Sequence, residues 1–88
     1  MQINKDFTIQ KVGAQYVAVP VGETSKSFHG MVRLNETGAF LWRALAERDM
    51  TEEELVDAIL AEYDVAREIA ARDVHRVVET LSANGIIV

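Results

Sequence analysis

The chain contains no cysteine. Disulfides, thiolate metal sites and cysteine nucleophiles are therefore excluded. There is one proline, Pro20, and the five glycines are scattered at turns and element ends rather than gathered in a phosphate-cradling loop. No apolar run approaches the ~20 residues that a membrane helix requires. The opening Met1-Gln2-Ile3-Asn4-Lys5 also lacks the apolar stretch of a secretory signal. These absences predict a cytoplasmic protein. Basic residues are scarce as well. Nine Lys and Arg stand against fourteen Asp and Glu, a formal charge of −5, which argues against nucleic acid because phosphate binding rests on cation neutralisation.

What remains is a chain of 88 residues, 49% of them apolar. That length predicts a single domain over residues 1–88 with one core, and too little chain to wall a deep cofactor cleft. The charge is unevenly spread. Residues 1–48 carry six basic and four acidic groups, whereas residues 49–88 carry three basic and ten acidic ones, giving +2 and −7. The acidic half is the part that reads as helix, which suits a solvated face and is the reverse of what a DNA reader wants.

The apolar period changes once, near Asn35. Before it the alternation is strand-like: Phe7 and Ile9 alternate with Thr8 and Gln10, and a turn at Val12-Gly13-Ala14 leads into Tyr16-Val17-Ala18-Val19. Pro20 cannot donate to a ladder and belongs at a strand end or edge. After a polar loop at residues 22–26, Phe28, Gly30, Val32 and Leu34 fall on one face of a third strand, opposite Ser27, His29, Met31 and Arg33. Three short strands with short connections predict an antiparallel meander whose first and third strands are the edges.

After Leu34 the period is helical. Asn35 is a good N-cap with Glu36 in the first turn, and Leu41, Trp42 and Leu45 form a stripe ending near Arg48-Asp49. Thr51 and Glu54 match a capping box, followed by the buried-face candidates Leu55, Val56, Ile59, Leu60 and Tyr63. Asp64 is the expected cap of a third helix carrying Ile69, Ala70, Val74, Val77, Val78 and Leu81, with Asn84-Gly85 as its left-handed stop. The apolar tail at residues 86–88 is expected to pack back on the core. The order β-β-β-α-α-α predicts an α+β, winged-helix-like fold, with the last two helices in helix-turn-helix outline.

Little of this carries chemistry. His29 and His75 stand alone, outside any ligand spacing, and Glu52-Glu53-Glu54 reads as first-turn helix electrostatics rather than as a metal cluster. No catalytic residue, metal site or cofactor is expected. Trp42, on a stripe with Leu41 and Leu45, reads as core. Gly30 is unusual as a glycine within a strand, which marks a bulge, tight packing or close approach by another chain. Met31, on the opposite face, is adaptable enough to accept varied partners and equally suits a core. The candidate recognition helix balances Arg67, Arg72 and Arg76 against Glu68, Asp73 and Glu79, so it offers phosphate no net attraction.

The block Leu34-Asn35-Glu36-Thr37-Gly38-Ala39-Phe40-Leu41-Trp42 resembles the L-N-E-T-A/G-x-x-I/L-W signature of the PqqD family, leader-peptide carriers of ribosomal peptide modification. Thr51 to Leu55 is similar to that family's T-x-x-E-L helix start, Tyr63-Asp64-Val65 to its aromatic-Asp-Val junction, and residues 73–87 to its closing pattern. His75 stands where the consensus often has an apolar residue. The resemblance implies a three-stranded sheet packed on three helices. It also implies a non-enzymatic carrier that binds the leader of a precursor peptide and presents the core segment to a modifying enzyme, commonly a radical-SAM enzyme bringing its own iron–sulfur clusters. The leader would add a fourth strand to the third, in the groove beside the third helix.

Alternation then places Phe28, Val32 and Leu34 toward the core and His29, Met31 and Arg33 on the other face. On the third helix the stripe centred on Ala70, Val74, Val77 and Leu81 should bury. The flank of Ala71, His75 and Val78, with Arg72 near it, is expected to line the groove, and the flank of Asp73, Arg76 and Thr80 is the alternative. The expected peptide-binding set is Phe28, His29, Gly30, Met31, Val32, Arg33, Ala71, Arg72, His75 and Val78. A winged-helix DNA-binding regulator is the competing function, and an open edge strand leaves homodimerisation or strand exchange open.

Overall fold

A computed structural model describes residues 1–22 and 32–88. Within them three strands precede three helices: β1 Phe7–Val12, β2 Gln15–Pro20, β3 Val32–Leu34, α1 Glu36–Glu47, α2 Glu52–Glu62 and α3 Arg67–Ala83. The strands pair antiparallel in the order β1-β2-β3, the expected meander. Of the expected site, Phe28, His29, Gly30 and Met31 lie outside the described residues.

The β1–β2 hairpin turns through two residues between the partners Val12 and Gln15. Only Gly13 takes a positive φ there, at 64°, as the II′-type turn favoured by twisted hairpins requires at its first central position. Pro20 closes β2 opposite Phe7, at the strand end where its missing N–H does least harm. β3 pairs only with β2 among the described residues, in the register Tyr16↔Leu34, Val17↔Arg33 and Ala18↔Val32.

β3 runs into α1 with no loop. Asn35 takes extended backbone and its side chain accepts the Gly38 N–H at 2.8 Å, satisfying one of the otherwise unpaired donors of the first turn. The corner is tight. A Cβ at position 38 would lie 3.2 Å from Leu34 side-chain atoms, so a residue without one lets the helix start directly against the strand. α2 opens with the expected capping box: the Glu54 N–H donates to the Thr51 hydroxyl, and the Thr51 N–H donates to the Glu54 carboxylate.

α3 departs from expectation at its start. Ala66, not Asp64, occupies the N-cap, and no side chain caps it. Ile69, expected in the core, is 45% exposed. The exposure of Ile69 follows from helix phase. Burial of Ala70, Val74 and Leu81 fixes the rotation of α3, and at about 100° per residue Ile69 is carried off that stripe. The other end is as expected and more complete. Gly85 adopts φ 71°, its N–H donates to the Ser82 carbonyl, and the Ile86 N–H donates to the Leu81 carbonyl. This is a Schellman closure, and its accompanying hydrophobic contact is supplied by Leu81 and Ile86, both fully buried.

Two buried clusters meet along α1 and α3. One holds Leu41, Leu45, Leu55, Val56, Ile59 and Val74 between the helices. The other packs Phe7, Ala18, Val32 and Leu34 of the sheet against Trp42, Leu81 and Ile86. Val77, Ile3 and Ile87 pack against both. The tail therefore returns to the core as expected. It also forms a feature that periodicity could not reveal, since Ile87 bridges Ile3 antiparallel. Around that bridge Gln2 and Val88 exchange backbone N–H···O bonds, at 3.2 and 3.0 Å, and the Asn4 N–H donates to the Ile86 carbonyl.

Candidate functional site

The sheet order leaves the outer side of β3 without a strand partner among the described residues. Val32 and Leu34 are buried while Arg33 is exposed, so the strand is pinned to the core by alternate residues and offers its backbone edge outward. Across from that edge runs α3. Between them lies a hollow of about 210 Å³ lined by Arg33, Leu34, Asn35, Arg76, Val77 and Thr80.

On the helical side the residues lining this hollow are Arg76, Val77 and Thr80. The side facing β3 is the flank of Arg76 and Thr80, the alternative in the sequence reading. Ala71, His75 and Val78 lie on the opposite flank, toward α2. His75 Nδ1 is 3.2 Å from Glu52 Oε1 on α2, and its Nε2 is 3.2 Å from Glu79 Oε1. Val78 packs against the interhelical cluster, and Arg67, on the same flank, pairs with Asp57 of α2. Arg72 falls opposite the buried stripe and is exposed. Apolar periodicity gives the width of a buried stripe but not which of its sides the neighbouring helix covers. A usable signal was present in the charges. Arg67 and His75 share the flank that meets Asp57 and Glu52, so cross-helix complementarity selects that side for α2.

The groove itself is mixed in character. Val77 is half-buried and forms an apolar floor with Leu34. Arg76 is paired with Asp73 at 3.1 Å, and the Thr80 hydroxyl donates to the Arg76 carbonyl. Arg33 has no ion pair among the described residues. At the far side of the sheet–α1 junction, Tyr16 lies under two cations, with Arg43 Cζ 5.3 Å and Lys11 Nζ 5.9 Å from its ring centroid. Such stacking holds long side chains against an aromatic face. Among the described residues no group of three or more His, Cys, Asp or Glu could hold a metal ion, and no helix is long and apolar enough to cross a membrane.

The His75 bridge gives the α2–α3 contact a pH dependence. The hydrogen bond to Glu52, followed by the fields of Glu79 and Glu52, raises the His75 pKa above its ordinary 6.5. A raised folded-state value means the bridge stabilises fully below the unfolded pKa and fades as pH rises through the folded one. The side chain is well exposed, so the effect is small. In thermal melts, wild type should lose more stability than His75→Gln between about pH 5.5 and pH 8.5, a window that spans the histidine titration. Parallel pH profiles for the two proteins would remove this role.

Comparison with known proteins places the geometry in context. A family model described as Coenzyme PQQ synthesis protein D (PqqD) matches residues 13–87. The chain is similar to the solved structure of TbiB1 in complex with the TbiA(beta) leader peptide, with 26% identity and a TM-score of 0.73 over 99% of this chain and 94% of that one. It is also similar to lasso peptide synthetase B1 complexed with the leader peptide, at 21% identity and a TM-score of 0.72, covering 99% of this chain and 95% of that one; that likeness speaks to the fold. Comparison with curated protein sequences gives no match.

Proposed function

The chain belongs to the PqqD family, and from that premise we propose that it is a non-catalytic carrier that binds the leader segment of a ribosomally made precursor peptide. The leader adds a strand to the outer side of β3, beside α3. The carrier then presents the peptide to a modifying enzyme, of the radical-SAM class, in the cytoplasm. The observation that carries the reading is the outer edge of β3, without a strand partner among the described residues, facing Arg76, Val77 and Thr80 across an open hollow. The TbiB1 structure, which holds a leader peptide on a similar fold, supports it.

The physics suits a carrier. Backbone hydrogen bonds to an edge strand give affinity with little sequence dependence, and side-chain hollows add selection. Ordering a flexible leader costs about 2–5 kcal/mol of the gross interaction, so backbone pairing needs apolar anchors, which Leu34 and Val77 supply. Duplex DNA is the poorer partner. Two of the three arginines on α3 are already paired, Arg67 with Asp57 and Arg76 with Asp73, which leaves few cations for phosphate.

The test is an NMR titration of the labelled protein with leader peptides of precursors encoded beside its gene. The amides of Val32, Arg33 and Leu34 and those of Arg76, Val77 and Thr80 should shift together, while those of Ala71 and His75 move less. Saturable binding that leaves the β3 amides unmoved rejects strand addition.

A further inference from the structure

The register of the sheet determines what an added strand would meet. Directly opposed residues of neighbouring strands share a face. Gln10, Val17 and Arg33 are successive partners across β1, β2 and β3, so they form one row on the face turned away from the helices. A strand added beyond β3 continues that row with the residue opposite Arg33. Its neighbours on either side oppose Val32 and Leu34, whose side chains are buried, and so turn toward α3 and Val77.

The charges around that row are lopsided. Neither Gln10 nor Val17 offers Arg33 an anion. Arg33 borders three surface hollows, the groove itself and two others, and among the described residues the acid lining any of them is Glu36, which serves the first turn of α1. On the helical wall Arg76 and Asp73 neutralise one another. The other acid near the middle of α3, Glu79, is turned to His75 on the opposite flank. Among the described residues the uncompensated charge at the groove is therefore the Arg33 guanidinium, set in the half of the chain that carries the net positive charge.

Given strand addition at β3, on which this rests, we infer that Arg33 reads the bound peptide: the residue opposite it is Asp or Glu, with apolar residues on either side turned toward Val77. The preferred ligand class is thus an extended peptide in which an acid alternates with apolar side chains, held in one register. An opposite-charge cross-strand pair contributes modestly and a like-charge pair subtracts by a similar amount. Arg33 therefore sets register and choice of peptide more than total affinity.

The experiment is selection of displayed random linear peptides on the immobilised full chain. Peptides retained by wild type should carry Asp or Glu at one fixed position with apolar neighbours. Arg33→Gln should erase that acidic preference, and Arg33→Glu should replace it with Lys or Arg at the same position. For a matched acid and lysine pair of selected peptides, Arg33→Glu should swing the affinity ratio by roughly tenfold. Arg33 is exposed, so both variants should fold, and circular dichroism checks that they do. Retained peptides with no acidic position, or an acidic preference that persists in Arg33→Glu, overturn the role of Arg33 and leave the carrier reading standing. Retention of no extended peptide at all overturns both.

Discussion

Thr80→Trp is expected to abolish capture of a leader peptide while leaving the fold intact. Thr80 is exposed and lines the hollow of about 210 Å³ between α3 and β3. An indole there would lie where the incoming strand must sit, and an aromatic side chain brings about 150–250 Å² of surface to the contact. The hydroxyl it removes bonds only to the Arg76 carbonyl, a local helix contact of little consequence for stability. Loss of the apolar floor and of the room for a strand should weaken binding by roughly a hundredfold or more, the scale of a hot-spot loss. Ala71→Trp is the matched control. It places the same bulk on the flank facing α2, and binding measured by fluorescence anisotropy should change little. Should Ala71→Trp block the leader and Thr80→Trp spare it, the occupied side of α3 is the other one.

Trp42→Ala should have the largest effect on stability. Trp42 is 4% exposed and packs with Phe7, Val32, Leu34, Leu81 and Ile86, the cluster that joins the sheet to α1 and α3. Truncating a buried tryptophan costs about 3–5 kcal/mol through lost transfer energy and the cavity left behind. Total stability in a domain of this size is about 5–15 kcal/mol, so the variant should be marginal at room temperature. Urea titration followed by circular dichroism measures the loss, and Trp42→Phe should recover much of it. A loss below about 1 kcal/mol would fit a surface position and would move Trp42 out of the core.

Much of this architecture is written in local chemistry. The change from period two to helical period at Asn35 marks the junction of sheet and helices, and the caps at Asn35, Thr51 and Gly85 set helix limits through hydrogen bonds made within a few residues. Asp64 misled for a complementary reason. A side chain suited to capping has no effect when the helix begins at Arg67, two residues beyond the one it would cap. The groove was legible by half. The alternation of Val32, Arg33 and Leu34 gave the strand wall, because a one-residue slip would bury an arginine. The helical wall depended on which flank α2 would occupy, a contact between distant residues that periodicity alone does not encode. The pairing of Ile3 with Ile87 was likewise invisible, since a single bridge between remote segments has no pattern to leave.

That bridge brings residues 2 and 88 into mutual hydrogen bonding, so the backbone enters and leaves the fold at one place. It also means that a tether fused before residue 2 or after residue 88 departs from the same point on the surface. A partner attached by either route would find the β3 edge on the same bearing, and the order of fusion would matter little to delivery.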